Sequence, residues 1–448
     1  MFLIKHKFNL LQYIIYTQYM EISQLYEIFK QYPLITTDTR NCAKDSIFFA
    51  LKGANFNGNQ YAKKALDLGC KYAIVDETEF ADESRNIILV DDCLSTLQQL
   101  ASFHRSKLSI PVIGVTGTNG KTTSKELITT VLSQEFNVLS THGNLNNHIG
   151  VPLTLLKMTK AHEIAVIEMG ANHVGEIKTL VEIAKPNFGL ITNVGRAHIE
   201  GFGSFENIIK AKGELYDFLR TQKNGKIFID NDNPYLKEIS EGIATISYGN
   251  DESLFVCGRA VANDPFLSFV WRFSKNDHLV KTNLIGEYNL SNALAAVAIG
   301  KYFGVKTAKI CKAIEEYVPT NNRSQLKKTD KNTLIIDAYN ANPTSMNAAL
   351  DNFAKMDVPN KTLILGDMLE LGNDSIAEHQ KVVDLITSSD MDKVFLIGDY
   401  FSKTETSYPR FTTLDDFSKY LKENPIENRY ILIKGSRGLQ LEKCVDLL

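Results

Sequence analysis

The stretch "IPVIGVTGTNGKTTSKELI", residues 110 to 128, sets an apolar run ahead of two glycines, a lysine and a row of hydroxyls. Those residue types at that spacing can bind phosphate. A nucleotide's phosphates need a turn of backbone N–H donors opening onto a helix N-terminus, a lysine for the outer oxygens and a hydroxyl for Mg2+. Gly117 and Gly120 permit the turn, Lys121 supplies the charge, Thr122 the metal hydroxyl, and Thr118, Asn119 and Thr123 complete the loop. The strict pattern G-x-x-x-x-G-K-[ST] is not met, because Val115 stands where a glycine is wanted. The physical parts are all present nonetheless, and the loop reads as a site for the phosphates of ATP or GTP.

Mg2+ takes further oxygen or nitrogen ligands, and the carboxyl ends of parallel strands are where they would come from. Glu168 closes the apolar run "AVIEMG", and a carboxylate at a buried strand end must be paired or bound to a cation. His198 follows the next run in "NVGRAHIEGFG". On position alone it is as readily a structural histidine as a ligand.

The elements that must hold these residues are legible in the apolar patterning. At 448 residues the chain has room for about three domains of roughly 150 residues each. From Met20 to residue 107, short apolar runs ("SIFFAL", "KYAIVDE", "NIILVDD") alternate with helical stretches and predict a small α/β domain. Residues 108–318 carry longer βα repeats, with near-continuous apolar strands that imply a parallel sheet covered on both faces. Between about 245 and 285, "LFVCGRAV" and "FLSFVWRF" read as antiparallel strands, and "NLSNALAAVAIGKYFG" as a helix. Residues 319–448 repeat the alternation in "NTLIIDAY", "KTLILGDM", "KVFLIGD" and "RYILIKGS", a Rossmann-like domain without G-x-G-x-x-G after its first strand, so no dinucleotide site is supported.

Composition narrows the function classes. A formal charge of -3 leaves no net basic field for nucleic acid. Six cysteines lie far apart with no C-x-x-C pair, which argues against a zinc site or a disulfide framework and fits a reducing cytoplasm. The N-terminal "MFLIKHKFNLLQYIIYTQYM" is a poor signal peptide. Its apolar run is interrupted by Asn9 and Gln12 and no small-residue cleavage site follows, so residues 1–19 read as an extension with Met20 an alternative start. No segment has the length of a membrane span.

Six ordered motifs carry a resemblance: "GVTGTNGKTT", "IEMGANHVGEI", "NVGRAHIEGFGS", "AKGELY", "GEYNLSNALAA" and "DAYNANPTSM". In that order they resemble the Mur ligases of peptidoglycan synthesis, over nearly everything from Met20 to the end. In that family T-G-T-N-G-K-T is the usual spelling of the phosphate loop, so Val115 is no departure. "DAYNANPTS" and "LGDMLELG" look most like the members that add D-alanyl-D-alanine to UDP-N-acetylmuramoyl-tripeptide. Members that add the third amino acid carry D-N-P-R in the C-terminal domain, and no such tetrapeptide occurs here. Folylpolyglutamate synthases share the loop but lack a stretch resembling "TTDTRNCAKDSIFFALKG", which looks like the Mur region that grips the uridine nucleotide.

The resemblance implies roles residue by residue. Gly117 to Thr123 would bind the ATP phosphates, and Thr122, Glu168 and His198 would surround Mg2+. Lys212 matches the lysine that Mur ligases carbamylate, which would make it a further metal ligand; composition alone reads it as a solvated helix lysine. Lys210 lies two residues away on another side of the helix, so at most one of them faces the site. Asn289 and Asn292 resemble the pair that contacts adenine, Arg323 the arginine that reaches the γ-phosphate, and Asp337 the residue on the ribose, with Tyr339, Asn340 and Asn342 in the same motif. Many relatives have G-R where this chain has "NRSQ". Thr39, Arg40, Thr141, Asn144, Asn146 and Asn147 match the substrate-binding stretches, and Lys434, Ser436 and Arg437 end a strand where a carboxylate could be met.

The expected protein is therefore a three-domain α/β ligase, a cytoplasmic monomer using ATP and Mg2+, with residues 319–448 binding the incoming dipeptide and closing over the nucleotide. Two rivals stand beside it. A P-loop switch or transport ATPase would hydrolyse ATP without an amine. A UDP-sugar-binding protein would bind nucleotide without turnover.

Overall fold

The computed structural model describes residues 20–263, 265–320, 322–389 and 391–448, so the 1–19 extension lies outside it. The described chain forms two compact units. The first comprises the residues up to Ile110 together with Thr141–His162 and Glu182–Lys185, two stretches that the sequence patterning placed in the central domain. Its four-stranded sheet runs in the order Ile35–Thr36, Ile47–Phe49, Tyr72–Val75, Ile87–Leu89, parallel throughout. Every residue of Ile47–Phe49 is buried. A run apolar at consecutive positions is what a strand covered on both faces requires.

The second unit holds two larger sheets. In the first of them the strands are β1 (Val112–Thr116), β2 (Val138–Ser140), β3 (Ile164–Glu168), β4 (Phe188–Ile191), β5 (Lys226–Asp230), β6 (Ala244–Gly249), β7 (Val256–Asn263), β8 (Phe266–Phe273) and β9 (Asn276–Ile285). Their order is β9-β8-β7-β6-β5-β4-β1-β3-β2. The pairings from β2 across to β7 are parallel, and β7 to β9 form an antiparallel meander as expected, whereas β6, at the start of the stretch read as antiparallel, is parallel to both its neighbours. Three helices matter for the site: α1 (Lys121–Leu132), α2 (Phe205–Thr221) and α3 (Asn289–Tyr302). Helix α3 is buried along most of its length, so its apolar residues run round it with no single stripe, and it packs on α1.

The other sheet contains β10 (Gln325–Lys328), β11 (Thr333–Asp337), β12 (Lys361–Gly366), β13 (Lys393–Ile397), β14 (Arg410–Phe411) and β15 (Tyr430–Lys434), in the order β10-β11-β15-β12-β13-β14. Its helices include α4 (Pro343–Lys355) and α5 (Ser375–Thr387). The four apolar runs became β11, β12, β13 and β15. Two short strands were not anticipated. Strand β10 is antiparallel and ends in the exposed Lys327 and Lys328, and such lysines keep an edge from pairing onward. Among the described residues no helix is long and apolar enough to cross a membrane.

Candidate active site

Strand order fixes where the site can be. Strand β1 lies between β3 and β4: the chain runs from it to β2 and back to β3 on one side, then crosses to β4 on the other. At such a switch point the loops at the carboxyl ends part and leave a crevice. The loop Gly117–Gly120 lies there. Glu168 pairs in register with Val115 and Ile191 with Thr116, so Glu168 and the residues after Ile191 arrive on either side of the loop.

The loop is held by backbone geometry and by its neighbours. Gly117 has φ 141° and Gly120 φ 75°, conformations that L side chains rarely adopt. A Cβ at Gly117 would run into Thr192 Oγ1, and one at Gly120 would meet Asn292 Oδ1 at 2.5 Å. Thr192 Oγ1 donates to Asn119 O at 2.6 Å, and Asn193 Oδ1 accepts from Asn119 N at 3.0 Å. Thr118 Oγ1 accepts from Gly195 N at 3.0 Å. Lys121 Nζ folds back to donate to Gly117 O at 2.8 Å and Thr118 O at 2.9 Å. Burial pulls its pKa down to about 8, Glu168 opposes the fall, and the nearby Arg323 charge adds to it.

Thr122 Oγ1 lies 3.2 Å from Glu168 Oε1, and both residues are buried. Mg2+ needs only one or two oxygen ligands from a protein when phosphates and waters supply the rest, so this hydroxyl and carboxylate fit it. Among the described residues no three His, Cys, Asp or Glu side chains gather as a metal cluster. His198 sits in the left-handed region with φ 51°, and its Nδ1 pairs with Glu370 Oε2 from the segment between β12 and α5. The His198 hydrogen bond holds the Glu370 carboxyl below its ordinary value, burial opposing. Only Nε2 of His198 is left for a metal, the arrangement in which a carboxylate on one ring nitrogen orients the other.

Lys212, on α2, is 2 % exposed, whereas Lys210 is exposed. Helical periodicity required them to part and the structure shows which one enters. Lys212 Nζ donates to Ala171 O at 3.2 Å and lies 5.1 Å from the centroid of the Phe202 ring. Burial above all, then the Lys121 charge, lowers its pKa to about 7, with Glu176 and Glu214 opposing. Burial thus favours the neutral, nucleophilic form of this amine over the ammonium.

The remaining expected residues fall into three groups. Asn289 and Asn292 are buried and joined to each other: Ser124 Oγ donates to Asn292 Oδ1 at 2.9 Å, Asn292 Nδ2 to Asn289 Oδ1 at 2.9 Å, and Asn289 Nδ2 to Ile285 O at 2.8 Å. They tie α3 to α1 and press on Gly120, which braces the loop. Arg323 stacks its guanidinium 3.8 Å above the Tyr339 ring, with Arg437 5.4 Å from the same centroid, and Arg323 Nε is buried with no hydrogen-bond acceptor among the described residues. A donor in that condition is one that an anion would satisfy. Asp337 accepts from Lys434 Nζ at 2.5 Å and from Ser324 N at 3.3 Å. Lys434, 1 % exposed, thus already has a carboxylate, and also reaches Asn340 O at 3.4 Å. Ser436 Oγ accepts from Leu369 N at 2.9 Å.

In the first unit, Thr39 and Arg40 form a short turn in which the Asp38 carboxylate caps Arg40 N at 2.9 Å and receives the exposed Arg40 guanidinium at 2.7 Å. Thr141 is buried, Asn144 is exposed, Asn146 N donates to Asn144 O, and Asn147 Oδ1 takes the N–H groups of Ile149 and Gly150. This asparagine-rich loop is therefore partly a helix cap. Thr192, Asn193 and Glu370 went unassigned in the sequence. The first two follow a strand next to β1 and were findable on that ground; nothing local marks Glu370.

Residues 31–105 match the Mur ligase family catalytic domain, 115–300 the Mur ligase middle domain, and 322–437 the Mur ligase glutamate ligase domain. The chain belongs to the Mur ligase family. Within it, the chain is 36 % identical to the UDP-N-acetylmuramoyl-tripeptide–D-alanyl-D-alanine ligase of Bacillus subtilis, covering 92 % of this chain and 93 % of that one. The enzyme of the same name from Haemophilus influenzae is 34 % identical, with 92 % of each covered. The crystal structure of MurF from Acinetobacter baumannii superposes with a TM-score of 0.83 at 30 % identity, covering 92 % of both chains.

Proposed function

We propose that the chain is an ATP-dependent ligase that joins UDP-N-acetylmuramoyl-tripeptide to D-alanyl-D-alanine, forming the UDP-muramoyl-pentapeptide of peptidoglycan synthesis. The choice of substrates rests on the relatives that carry that name over nine-tenths of the chain. The observation that carries the phosphoryl-transfer half is the loop at the strand switch, with Lys121 in it and the buried Thr122–Glu168 pair beside it.

The tripeptide's terminal carboxylate attacks the γ-phosphorus of ATP. A new oxygen–phosphorus bond forms, the bond to the bridging oxygen breaks, and ADP departs with the electron pair. The Lys121 ammonium and the loop N–H groups hold the phosphates, and Arg323, its Nε lacking an acceptor among the described residues, meets the charge that spreads over the transferring group. Thr122 and Glu168, with His198 turned by Glu370, are the residues that would hold Mg2+, which when bound neutralises phosphate charge. Lys212, as a carbamate, would add an anionic ligand; its amine adds to CO2, a nitrogen–carbon bond forms and one proton leaves to solvent. The dipeptide's amine then attacks the acyl phosphate carbon, loses a proton, and inorganic phosphate leaves as the amide forms.

Thr39, Arg40, Thr141, Asn144, Asn146 and Asn147 are assigned to the UDP-sugar substrate, Asn289 and Asn292 to the adenine side, and Asp337 to the ribose. Residues 319–448 would take the dipeptide and close over ATP. Six free cysteine thiols fit work in the cytoplasm, and the proposed enzyme acts there as a monomer. Phosphate release from ATP, measured with each substrate omitted in turn, tests the reading. Release is expected only when both the UDP-muramoyl peptide and D-alanyl-D-alanine are present. Release that ignores the dipeptide would belong to a switch or transport ATPase and would overturn it.

A further inference from the structure

The phosphate loop and helix α4 share a hydrogen-bonded asparagine pair. Asn342 caps α4: its Oδ1 accepts from Ser345 N at 2.9 Å, and Ser345 Oγ accepts from Asn342 N at 3.1 Å. Because Ser345 N–H can only donate, it fixes which end of the Asn342 amide is oxygen, and Nδ2 therefore faces the loop. There Nδ2 donates to Asn119 Oδ1 at 2.8 Å, across 223 residues of sequence. Two residues on, in α4's first turn, Thr344 Oγ1 accepts from Arg196 N at 3.1 Å, and Gly195 of that same loop is bonded to Thr118. The N-terminus of α4 therefore touches both loops that shape the phosphate site.

We propose that the Asn119–Asn342 bond is a coupling latch, through which fixing of the phosphate loop by a nucleotide strengthens docking of α4, and docking of α4 raises nucleotide affinity. Linkage makes the two effects equal. Among the described residues the side chain of Asn119 bonds only to Asn342, so its amide is spent on the latch while its backbone serves the loop. Asn342 is a positioning residue here, acting on phosphate through Asn119.

The inference rests on the nucleotide reading of the loop, and the experiment separates the two. Binding of β,γ-imido-ATP in the presence of magnesium chloride is measured by calorimetry on the full chain. Asn342→Ser keeps a cap but is too short to reach Asn119, so the chain still melts as one cooperative, folded protein without nucleotide while affinity falls about three- to tenfold, the loss of one neutral hydrogen bond. Asn119→Ala removes the same bond from the other end without touching the cap and gives the same fall. The double variant binds no more weakly than either single one. Unchanged affinity in the single variants, or losses that add in the double one, overturns the latch. A wild-type protein that does not bind the analogue overturns the nucleotide reading instead.

Discussion

Lys121→Met lowers turnover by about a thousandfold or more with the fold intact. Methionine matches the length and apolar stem of lysine, so what is removed is the charge and the donors that Nζ places on Gly117 O and Thr118 O. The Arg323 charge lowers the pKa of Lys121, and the Lys121 charge in turn lowers that of Lys212. Lys121 is the cation mounted on the loop itself, where the phosphates would lie. The measurement is steady-state phosphate release with both substrates, beside a thermal melt. A loss smaller than about tenfold would mean that Lys121 does not meet the transferring phosphate.

Lys212→Ala is expected to cost about a hundredfold or more, and Lys212→Arg not to restore it. Arginine keeps a positive charge but cannot add to CO2, whereas a carbamate reverses the charge. Acetate, small enough to enter the space the side chain leaves, supplies a carboxylate and partly restores Lys212→Ala but not the wild type. Full activity in Lys212→Arg would show that the amine is only a buried cation. The stability effect has its own sign. Lys212 has its pKa lowered from 10.5 to about 7 by burial, so between those values the unfolded chain binds more protons than the folded one, and stability rises with pH across that window. Lys212→Met is therefore more stable than uncarbamylated wild type near pH 7, and the gap narrows as the pH approaches 10.5. Chemical denaturation across that range reads it apart from activity.

What the sequence made legible was local. The loop needs an apolar strand, two glycines, a lysine and a hydroxyl in succession, and all of these lie within one short stretch. Glu168 was readable as a carboxylate at the end of a buried strand, and the apolar runs of the C-terminal sheet could hardly be anything but strands. Periodicity separated Lys210 from Lys212 without saying which is buried, since that depends on what packs against α2. Spacing put Asn289 beside Asn292, but their partner Ser124 lies on another helix. The membership of residues 141–162 in the first unit, the His198–Glu370 pair and the Asn119–Asn342 latch are set by contacts between distant segments, which no local pattern encodes. Lys434 shows the same limit from the other side. It reads as a cation at a strand end open to a substrate carboxylate, yet parallel pairing of β11 with β15 sets it opposite Asp337, which occupies it.

The central claim is that the tripeptide's carboxylate itself takes the γ-phosphoryl group before the amide bond forms. Labelling both oxygens of that terminal carboxylate with heavy oxygen and weighing the phosphate released during a complete reaction tests it directly. The account predicts that each phosphate carries one labelled oxygen, taken from the carboxylate as the acyl phosphate is cleaved by the amine. Phosphate free of the label, with its new oxygen drawn from water, would contradict it.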